Sequence, residues 1–282
     1  MSAVALRRPA DSGRPTAPAR SAAWRFVNAA VAVVARDITL TFKTPQTIAF
    51  TLAMPILMMG LIGGNLMENM AKGLPFSFGE FMLVGMFVNM LFMSTTMSMT
   101  SLIDDSDENF SAELLVSPAS RYAIVIGKIL GSSFLGLLSG VGVIVVGLFM
   151  GIHLAGWQLL VLFALSPLMC LSGGAVAMIV FGVVRNRRAA NTAVMLITMP
   201  QMFLSGVIIP ISSSTGILYV LSRVLPMTYC VDLGRAVAYA GTAQYASVVL
   251  FNPAISLVVI AALTVLFLIV GTFLYVRSEK DR

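Results

Sequence analysis

Few side chains in this sequence are placed to perform acid–base, nucleophilic or metal chemistry. The chain has one histidine, His153, and two cysteines, Cys170 and Cys230, which lie 60 residues apart. Zinc sites, hydrolase triads and Walker A loops need their residues at fixed short spacings, and the sequence contains no CxxC, HExxH, GxSxG or GxxxxGK[ST] pattern. We therefore predict no catalytic, cofactor-binding or metal site in this chain and do not expect it to be an enzyme.

The positions of the basic side chains indicate where the chain leaves the membrane. Arg185, Arg187 and Arg188 interrupt an otherwise uncharged apolar run from Trp157 to Ile211. An apolar run of about 18 residues or more predicts a membrane-spanning helix, and a basic cluster between two such runs marks a cytoplasmic turn. Of the 282 residues 58% are hydrophobic and 11% are charged, against about 25% charged in soluble domains. The chain is therefore predicted to be an all-α polytopic membrane protein, and its net charge of +6 indicates contact with lipid rather than with nucleic acid.

The hydrophobic pattern predicts six membrane spans after a disordered cytoplasmic tail over residues 1–20. The transmembrane domain, 21–282, begins with an amphipathic helix over 21–43, in which Trp24 and four apolar residues recur every three or four positions. We expect this helix to lie at the membrane interface, and the alternative is a soluble packing helix. The predicted spans are 46–64, 78–102, 122–149, 157–184, 189–210 and 248–276.

The distribution of charge predicts the orientation of these spans. The segments assigned to the cytoplasm contain 15 lysine and arginine residues, and the outer segments contain three, Lys72, Arg223 and Arg235. Because basic residues concentrate on the cytoplasmic side, both termini are predicted to be cytoplasmic. Ion-coupled transporters keep ionisable residues in mid-span as relays, and none is predicted there, so we expect the energy source to lie outside this chain.

Two segments between spans do not fit simple loops. Between spans 2 and 3, the acidic start 104–108 and Pro118 are start and stop signals for a short helix over 105–118. Between spans 5 and 6, residues 216–241 hold two apolar runs, parted by Pro226, that are each too short to cross a membrane. They predict an outer re-entrant helical hairpin, in which Asp232 and Arg235 can form a stabilising pair on one helix face.

Methionines form a stripe along predicted span 2. Their spacings of three and four residues place them on one helix face; they are Met82, Met86, Met90, Met93 and Met97. Methionine is flexible and polarizable, so such a face suits varied apolar substrates or self-association. The alternative is ordinary helix packing.

These segments together resemble the permeases of ABC type-2 transporters. The stretch 108–128 is similar to the cytoplasmic segment of that family, and the matching positions are Glu108, Phe110, Glu113, Leu115, Val116, Pro118, Ser120, Arg121, Gly127 and Lys128. PQMFLSGVIIP over 200–210 and PMTYCVDLGR over 226–235 resemble the family's Phe-x-Ser-Gly-x-x-x-Pro and Pro-x-x-Tyr-x-x-Asp-x-x-Arg patterns. The resemblance extends over nearly all of the chain after residue 21 and is strongest to the drug-resistance branch.

The resemblance implies an exporter in the cell membrane with two permease subunits, identical or related, and two cytoplasmic ATPase subunits that bind ATP and Mg. Helix 105–118 would be the coupling helix that docks on the ATPase, through Asp107, Glu108, Phe110, Glu113, Leu114 and Leu115. The candidate substrate path consists of Met86, Met90, Met93, Met97, Phe203 and Ser205. The hairpin residues that match the family are Pro226, Tyr229, Asp232 and Arg235.

The implied function is ATP-driven export of hydrophobic or amphiphilic compounds that are drug-like or lipid-like. Export of a polysaccharide or a lipid-linked glycan is the alternative within the family, and it would need a wide channel lined by aromatic residues. A secondary transporter or channel would need internal repeats and buried ionisable residues, and an intramembrane enzyme would need a catalytic constellation. An adjacent gene for an ATPase with Walker motifs would favour the exporter.

Overall fold

The computed structural model describes residues 22–64, 75–100, 121–184, 186–211 and 215–280. Within these ranges the chain forms helices joined by turns, without a β-strand, so the all-α prediction is confirmed for them. The helices are α1 (Ala22–Lys43), α2 (Pro45–Pro55, continued by a π-helix over Ile56–Gly63), α3 (Phe78–Ser98), α4 (Arg121–Phe149), α5 (Gly156–Val183), α6 (Arg187–Leu204), α7 (Gly216–Val224), α8 (Pro226–Ala238), α9 (Tyr245–Val248) and α10 (Pro253–Lys280).

Between four and six membrane crossings can be assigned from helix length and hydropathy. Four continuous helical segments are long and apolar enough to cross a membrane: α3, most of α4, α5, and the segment that contains α10. They correspond to predicted spans 2, 3, 4 and 6. Two bent helix pairs, α1 with α2 and α7 with α8, each meet the same criterion when taken together.

Predicted span 5 differs from these helices. It corresponds to α6, which ends at Leu204, and α6 is not among the helices apolar enough to cross. Two arginines at its start, together with Asn191 and Gln201, make it more polar than the other long helices. The turn that follows needs a positive backbone angle, with φ 78° at Gly206, so the helix cannot continue to residue 210 as predicted.

Helices α3 and α5 run in the same direction. The Thr96 hydroxyl of α3 donates to the Gly173 carbonyl of α5 at 3.0 Å. Nearer the start of both helices, Phe87 meets Phe163 edge-on, with ring centroids 5.5 Å apart. Because higher numbers in α3 pair with higher numbers in α5, the two helices are parallel.

Helix α4 runs against α3 and lies close to it at small residues. A β-carbon built on Gly136 would lie 3.0 Å from the Thr95 hydroxyl oxygen, and one built on Gly140 would lie 2.9 Å from the Phe87 ring. Small residues allow membrane helices to approach closely, and both glycines have this role here. The end of α3 and the start of α4 therefore lie at one end of the bundle, which the charge pattern predicts to be cytoplasmic.

Helix α3 is the centre of the bundle, and α10 is at its edge. The most apolar window of α3 is 72% buried within the described protein, whereas that of the α10 segment is 22% buried. Helix α10 packs on α5 through hydroxyl groups of Ser172 and Thr264, which are 2.6 Å apart. Its other faces carry apolar side chains outward, as expected of a helix in contact with lipid.

Helix α1 packs against the first half of α4. Its buried residues include Ala30, Val33 and Asp37, whereas Trp24 and Val31 of the predicted apolar stripe are 42% and 58% exposed. The stripe therefore faces away from the protein, as the amphipathic pattern predicts. The position of this helix at the membrane interface stays a prediction.

Helices α1 and α2 form a bent pair. The helix axis bends by 83° between them, because Pro45 has no backbone N–H to donate and restricts the residue before it. Beyond the bend, Leu52 lies against Gly142 and Met59 lies against Gly147, so α2 and its π-helix continue outward along α4. Predicted span 46–64 corresponds to α2 and its π-helix, which the bend separates from α1.

Candidate functional site

The predicted coupling helix, 105–118, lies outside the described residues. Its six candidate residues, Asp107, Glu108, Phe110, Glu113, Leu114 and Leu115, therefore have no observed contacts. The structure does describe the two helices that this segment joins, and the end of α3 and the start of α4 lie at the same end of the bundle.

The methionine stripe of α3 is divided between two environments. Met82 and Met86 are each 1% exposed and lie in the hydrophobic core. In the inner half of the helix, partial exposure follows a single face, which we call the α3 stripe; its residues are Met90, Met93, Ser94, Met97 and Ser98. Of the four methionines predicted to line a path, Met86 is buried within this chain and the other three are half-buried on the α3 stripe. Their place in a substrate path stays a prediction.

Helix α6 has one buried and one exposed face. The buried face carries residues at spacings of three and four, and it ends with Ser205, which is 1% exposed and lies directly after the helix. Phe203 is 52% exposed and shares the outer face with Leu196 and Met199. The two predicted path residues of this segment therefore have different surroundings: Ser205 is buried within the protein, and Phe203 is on its surface.

The end of α6 crosses α3 at a glycine. A β-carbon built on Gly85 would lie 2.3 Å from the Val207 carbonyl oxygen, so the two backbones are in contact there. Three polar side chains of these two segments are Asn89 of α3, Gln201 of α6 and Ser205, which directly follows α6. Each of these three polar side chains is 1% exposed.

These polar side chains carry hydrogen-bonding atoms that are not satisfied within the described protein. Asn89 Nδ2, Gln201 Nε2 and Ser205 Oγ have no hydrogen-bond partner among the described residues. Leaving such an atom buried costs about 1–3 kcal/mol, so a hydrogen-bond partner supplied to any one of them would be stabilising. Ser205 was predicted from the sequence. Asn89 and Gln201 were missed, although an amide within an apolar helix is itself a signal of function.

The outer hairpin is formed by α7 and α8, which bend by 82° at Leu225. Pro226 occupies the first position of α8, where its missing N–H costs nothing. The Tyr229 hydroxyl donates to the Arg223 carbonyl at 2.7 Å, and its ring stacks on Phe251 with centroids 5.2 Å apart. These contacts fix the turn between the two helices.

Asp232 joins the hairpin to the start of α10. Its carboxylate accepts hydrogen bonds from the backbone N–H of Leu250 at 2.6 Å and of Phe251 at 3.3 Å, and from the Ser256 hydroxyl at 2.9 Å. The side chain is buried, so these three donors replace water around the carboxylate.

Arg235 joins the hairpin to α3 and to the end of α6. Its guanidinium donates to the carbonyl oxygens of Gly206 and Val207 and lies 3.5 Å from the centroid of the Phe81 ring. Asp232 and Arg235 thus bind different partners, and the local pair predicted between them is replaced by two anchors to different parts of the fold. These contacts could not be predicted from the sequence, because hydrogen bonds to backbone groups do not depend on the residue type of the partner.

Comparison with known families supplies independent information. Residues 28–239, about three quarters of the chain, match the family described as ABC-2 type transporter. The matched segment extends from α1 through α8 and so includes the α3 stripe, the crossing of α3 with α6, and the hairpin. No match is found among curated proteins.

Proposed function

The chain belongs to the ABC-2 type transporter family and is the permease subunit of an ABC transporter, and we propose that it exports hydrophobic or amphiphilic compounds from the cytoplasm or the inner leaflet. The energy would come from ATP and Mg bound by a separate ATPase subunit. We further propose that two permease subunits, identical or related, assemble in the cell membrane with both termini in the cytoplasm.

The α3 stripe is the observation that carries the proposed substrate class. A helix buried on most sides keeps a partly open face of methionine and serine in its inner half. Methionine accommodates apolar groups of varied shape. Asn89 of the same helix, and Gln201 and Ser205 of the α6 segment, each carry a buried polar atom without a hydrogen-bond partner among the described residues. This combination suits an amphiphile with an apolar body and a head group that accepts hydrogen bonds.

The coupling helix can be tested by two substitutions in 105–118. We expect Glu108→Lys or Phe110→Ala to leave the protein inserted while ATP hydrolysis no longer drives export. Charge reversal would oppose docking into a basic groove, and removal of a phenylalanine anchor from an interface commonly costs about 2 kcal/mol or more. The measurement is co-purification of the ATPase together with its ATP hydrolysis and export of the dye Hoechst 33342.

The matched control for these variants is Lys72→Glu, a charge reversal in the predicted outer segment, which should leave all three quantities unchanged. Unaltered export and unaltered co-purification in both Glu108→Lys and Phe110→Ala would remove the coupling helix from the proposal.

The accessible face of α3 can be tested by a matched pair of substitutions one turn apart. Met86→Asp should prevent assembly, because a carboxylate in a packed membrane core costs several kcal/mol. Met90→Asp should assemble and change the relative export of cationic and neutral amphiphiles, because Met90 is only half-buried. Native gels measure assembly, and efflux of a dye panel measures preference. If both variants fail to assemble, the stripe is a packing surface.

The orientation of the chain can be tested by cysteine labelling in a variant that lacks Cys170 and Cys230. His153 and Thr215 are exposed, and the charge pattern places both outside. We expect a membrane-impermeant maleimide to label His153→Cys and Thr215→Cys in intact cells, and to label Arg187→Cys only after the cells are opened. Labelling of Arg187→Cys from outside would contradict the predicted orientation.

A further inference from the structure

A buried ion pair joins α1 to α4. Lys128 Nζ lies 2.9 Å from Asp37 Oδ1, and the two side chains are 5% and 9% exposed. Two charges leave water at a high cost unless they are paired, so this pair holds the two helices in one register. Lys128 was counted among the cytoplasmic basic residues in the charge pattern, and the structure instead places its ammonium group inside the protein.

Glycines on both sides of Lys128 allow α1 and α4 to approach closely. A β-carbon built on Gly127 would lie 2.7 Å from the Ala30 carbonyl oxygen, and one built on Gly131 would lie 2.8 Å from the Asp37 β-carbon. The Ala30 backbone therefore lies against Gly127, and the Asp37 side chain packs directly on Gly131. One turn farther along, the rings of Phe42 and Phe134 meet with centroids 5.6 Å apart. Such close packing transmits a displacement instead of absorbing it.

The pair lies at the place where motion of the ATPase would enter the bundle. Lys128 is two turns, or about 10 Å, beyond Arg121, the first residue of α4. The predicted coupling helix precedes Arg121 directly. On the other side of the contact, α1 ends at Lys43, and the 83° bend leads into α2.

We infer that α1 and the inner half of α4 move as one rigid unit, and that Asp37 and Lys128 are the positioning residues that hold it together. Displacement of the start of α4 is thereby passed to α1 and, through the bend, to α2. This inference rests on the proposed coupling of the permease to an ATPase. It adds a second route, through α1, by which displacement caused by the ATPase reaches α2.

The first test fixes the two helices to each other while the ion pair is intact. In a chain without Cys170 and Cys230, Phe42→Cys and Phe134→Cys are joined by a short bis-methanethiosulfonate cross-linker, which a reductant removes. Both sites are accessible, since Phe42 is 63% exposed and Phe134 is partly exposed. A cross-link within a rigid unit does not block the motion of that unit. We therefore expect ATP-dependent export of Hoechst 33342 to stay within about twofold of the reduced sample.

The second test breaks the pair and replaces it. Asp37→Ala should reduce export about fivefold to tenfold, the range expected of contacts along a coupling path, while ATPase co-purification is unchanged. The cross-link should restore export in this variant, and the reductant should remove the restoration. A role in folding alone would not respond to a link added after assembly. Lys128→Arg, which keeps the charge, should retain export, and Lys43→Ala removes an exposed charge from the same helix as a control.

The outcomes separate this inference from the proposed function. Loss of export on cross-linking with the ion pair intact would show that α1 and α4 move against each other, and it would overturn the inference even if Asp37→Ala failed to insert. A cross-link that does not restore export to an inserted Asp37→Ala variant would also overturn it. Failure of the unaltered permease to export any amphiphile with its ATPase would instead overturn the proposed function.

Discussion

Replacement of Asp232 by alanine should lower the unfolding midpoint of the detergent-solubilised protein by about 6–10 °C and abolish export. The substitution leaves three donors without an acceptor, the N–H groups of Leu250 and Phe251 and the hydroxyl of Ser256. Each buried donor left unpaired costs about 1–3 kcal/mol, and the hairpin loses its attachment to the start of α10. Thermal unfolding followed by tryptophan fluorescence measures the midpoint.

Asp232→Asn is the matched control, because the amide keeps the volume and one acceptor oxygen. It should lower the midpoint by about half as much as alanine, since at least one of the three donors finds an acceptor. Equal midpoints for the alanine variant and the unaltered protein would show that these bonds do not hold the hairpin to α10.

A single methyl group at Gly85 should have an effect of similar size at the opposite anchor of the hairpin. In Gly85→Ala the new β-carbon would lie 2.3 Å from the Val207 carbonyl oxygen, a distance that forces the backbones apart. The same carbonyl accepts a hydrogen bond from Arg235, so separation also weakens that anchor. Overpacking of this kind costs about 3 kcal/mol, and we expect a fall of about 6–10 °C in the unfolding midpoint.

Gly60→Ala is the control for this substitution. A β-carbon at Gly60 meets no atom within 4 Å, so the same chemical change should move the midpoint by less than about 2 °C. If Gly85→Ala and Gly60→Ala behaved alike, the close crossing of α3 with the end of α6 would not be a constraint on this fold.

The helices that were located correctly from the sequence are those with the simplest sequence signals. Uninterrupted apolar runs bounded by charges predicted 78–102, 122–149 and 157–184, and the structure has helices at Phe78–Ser98, Arg121–Phe149 and Gly156–Val183. Pro226 predicted the break in the hairpin, because proline ends one helix and begins the next. These features depend on local sequence, and for this reason they could be predicted.

Features that depend on contacts between distant segments could not be predicted. Asp37 and Lys128 are far apart in the sequence, and each has an ordinary surface interpretation until the fold brings them within 2.9 Å of each other. The methionine stripe shows the same limit, because helical spacing places Met86 and Met90 on one face but does not reveal that only Met90 is accessible. Burial is decided by the neighbouring helices.

The anchors of the hairpin illustrate a second limit. Spacing of three residues suggested that Asp232 and Arg235 pair with each other. Their observed partners are mainly backbone groups at Leu250, Phe251, Gly206 and Val207, which have no sequence signature. A motif can therefore mark the residues that matter without indicating what they bind.

We propose that this permease moves amphiphiles outward and that ATP hydrolysis by a partner subunit supplies the energy. The most direct measurement is Hoechst 33342 fluorescence in inside-out membrane vesicles that contain the permease and its partner ATPase. The account predicts a fall in fluorescence on addition of ATP, as dye leaves the membrane for the lumen, and its loss with Glu108→Lys or with an ATPase lacking its Walker lysine. Dye movement that persists without the ATPase and follows an ion gradient would contradict it.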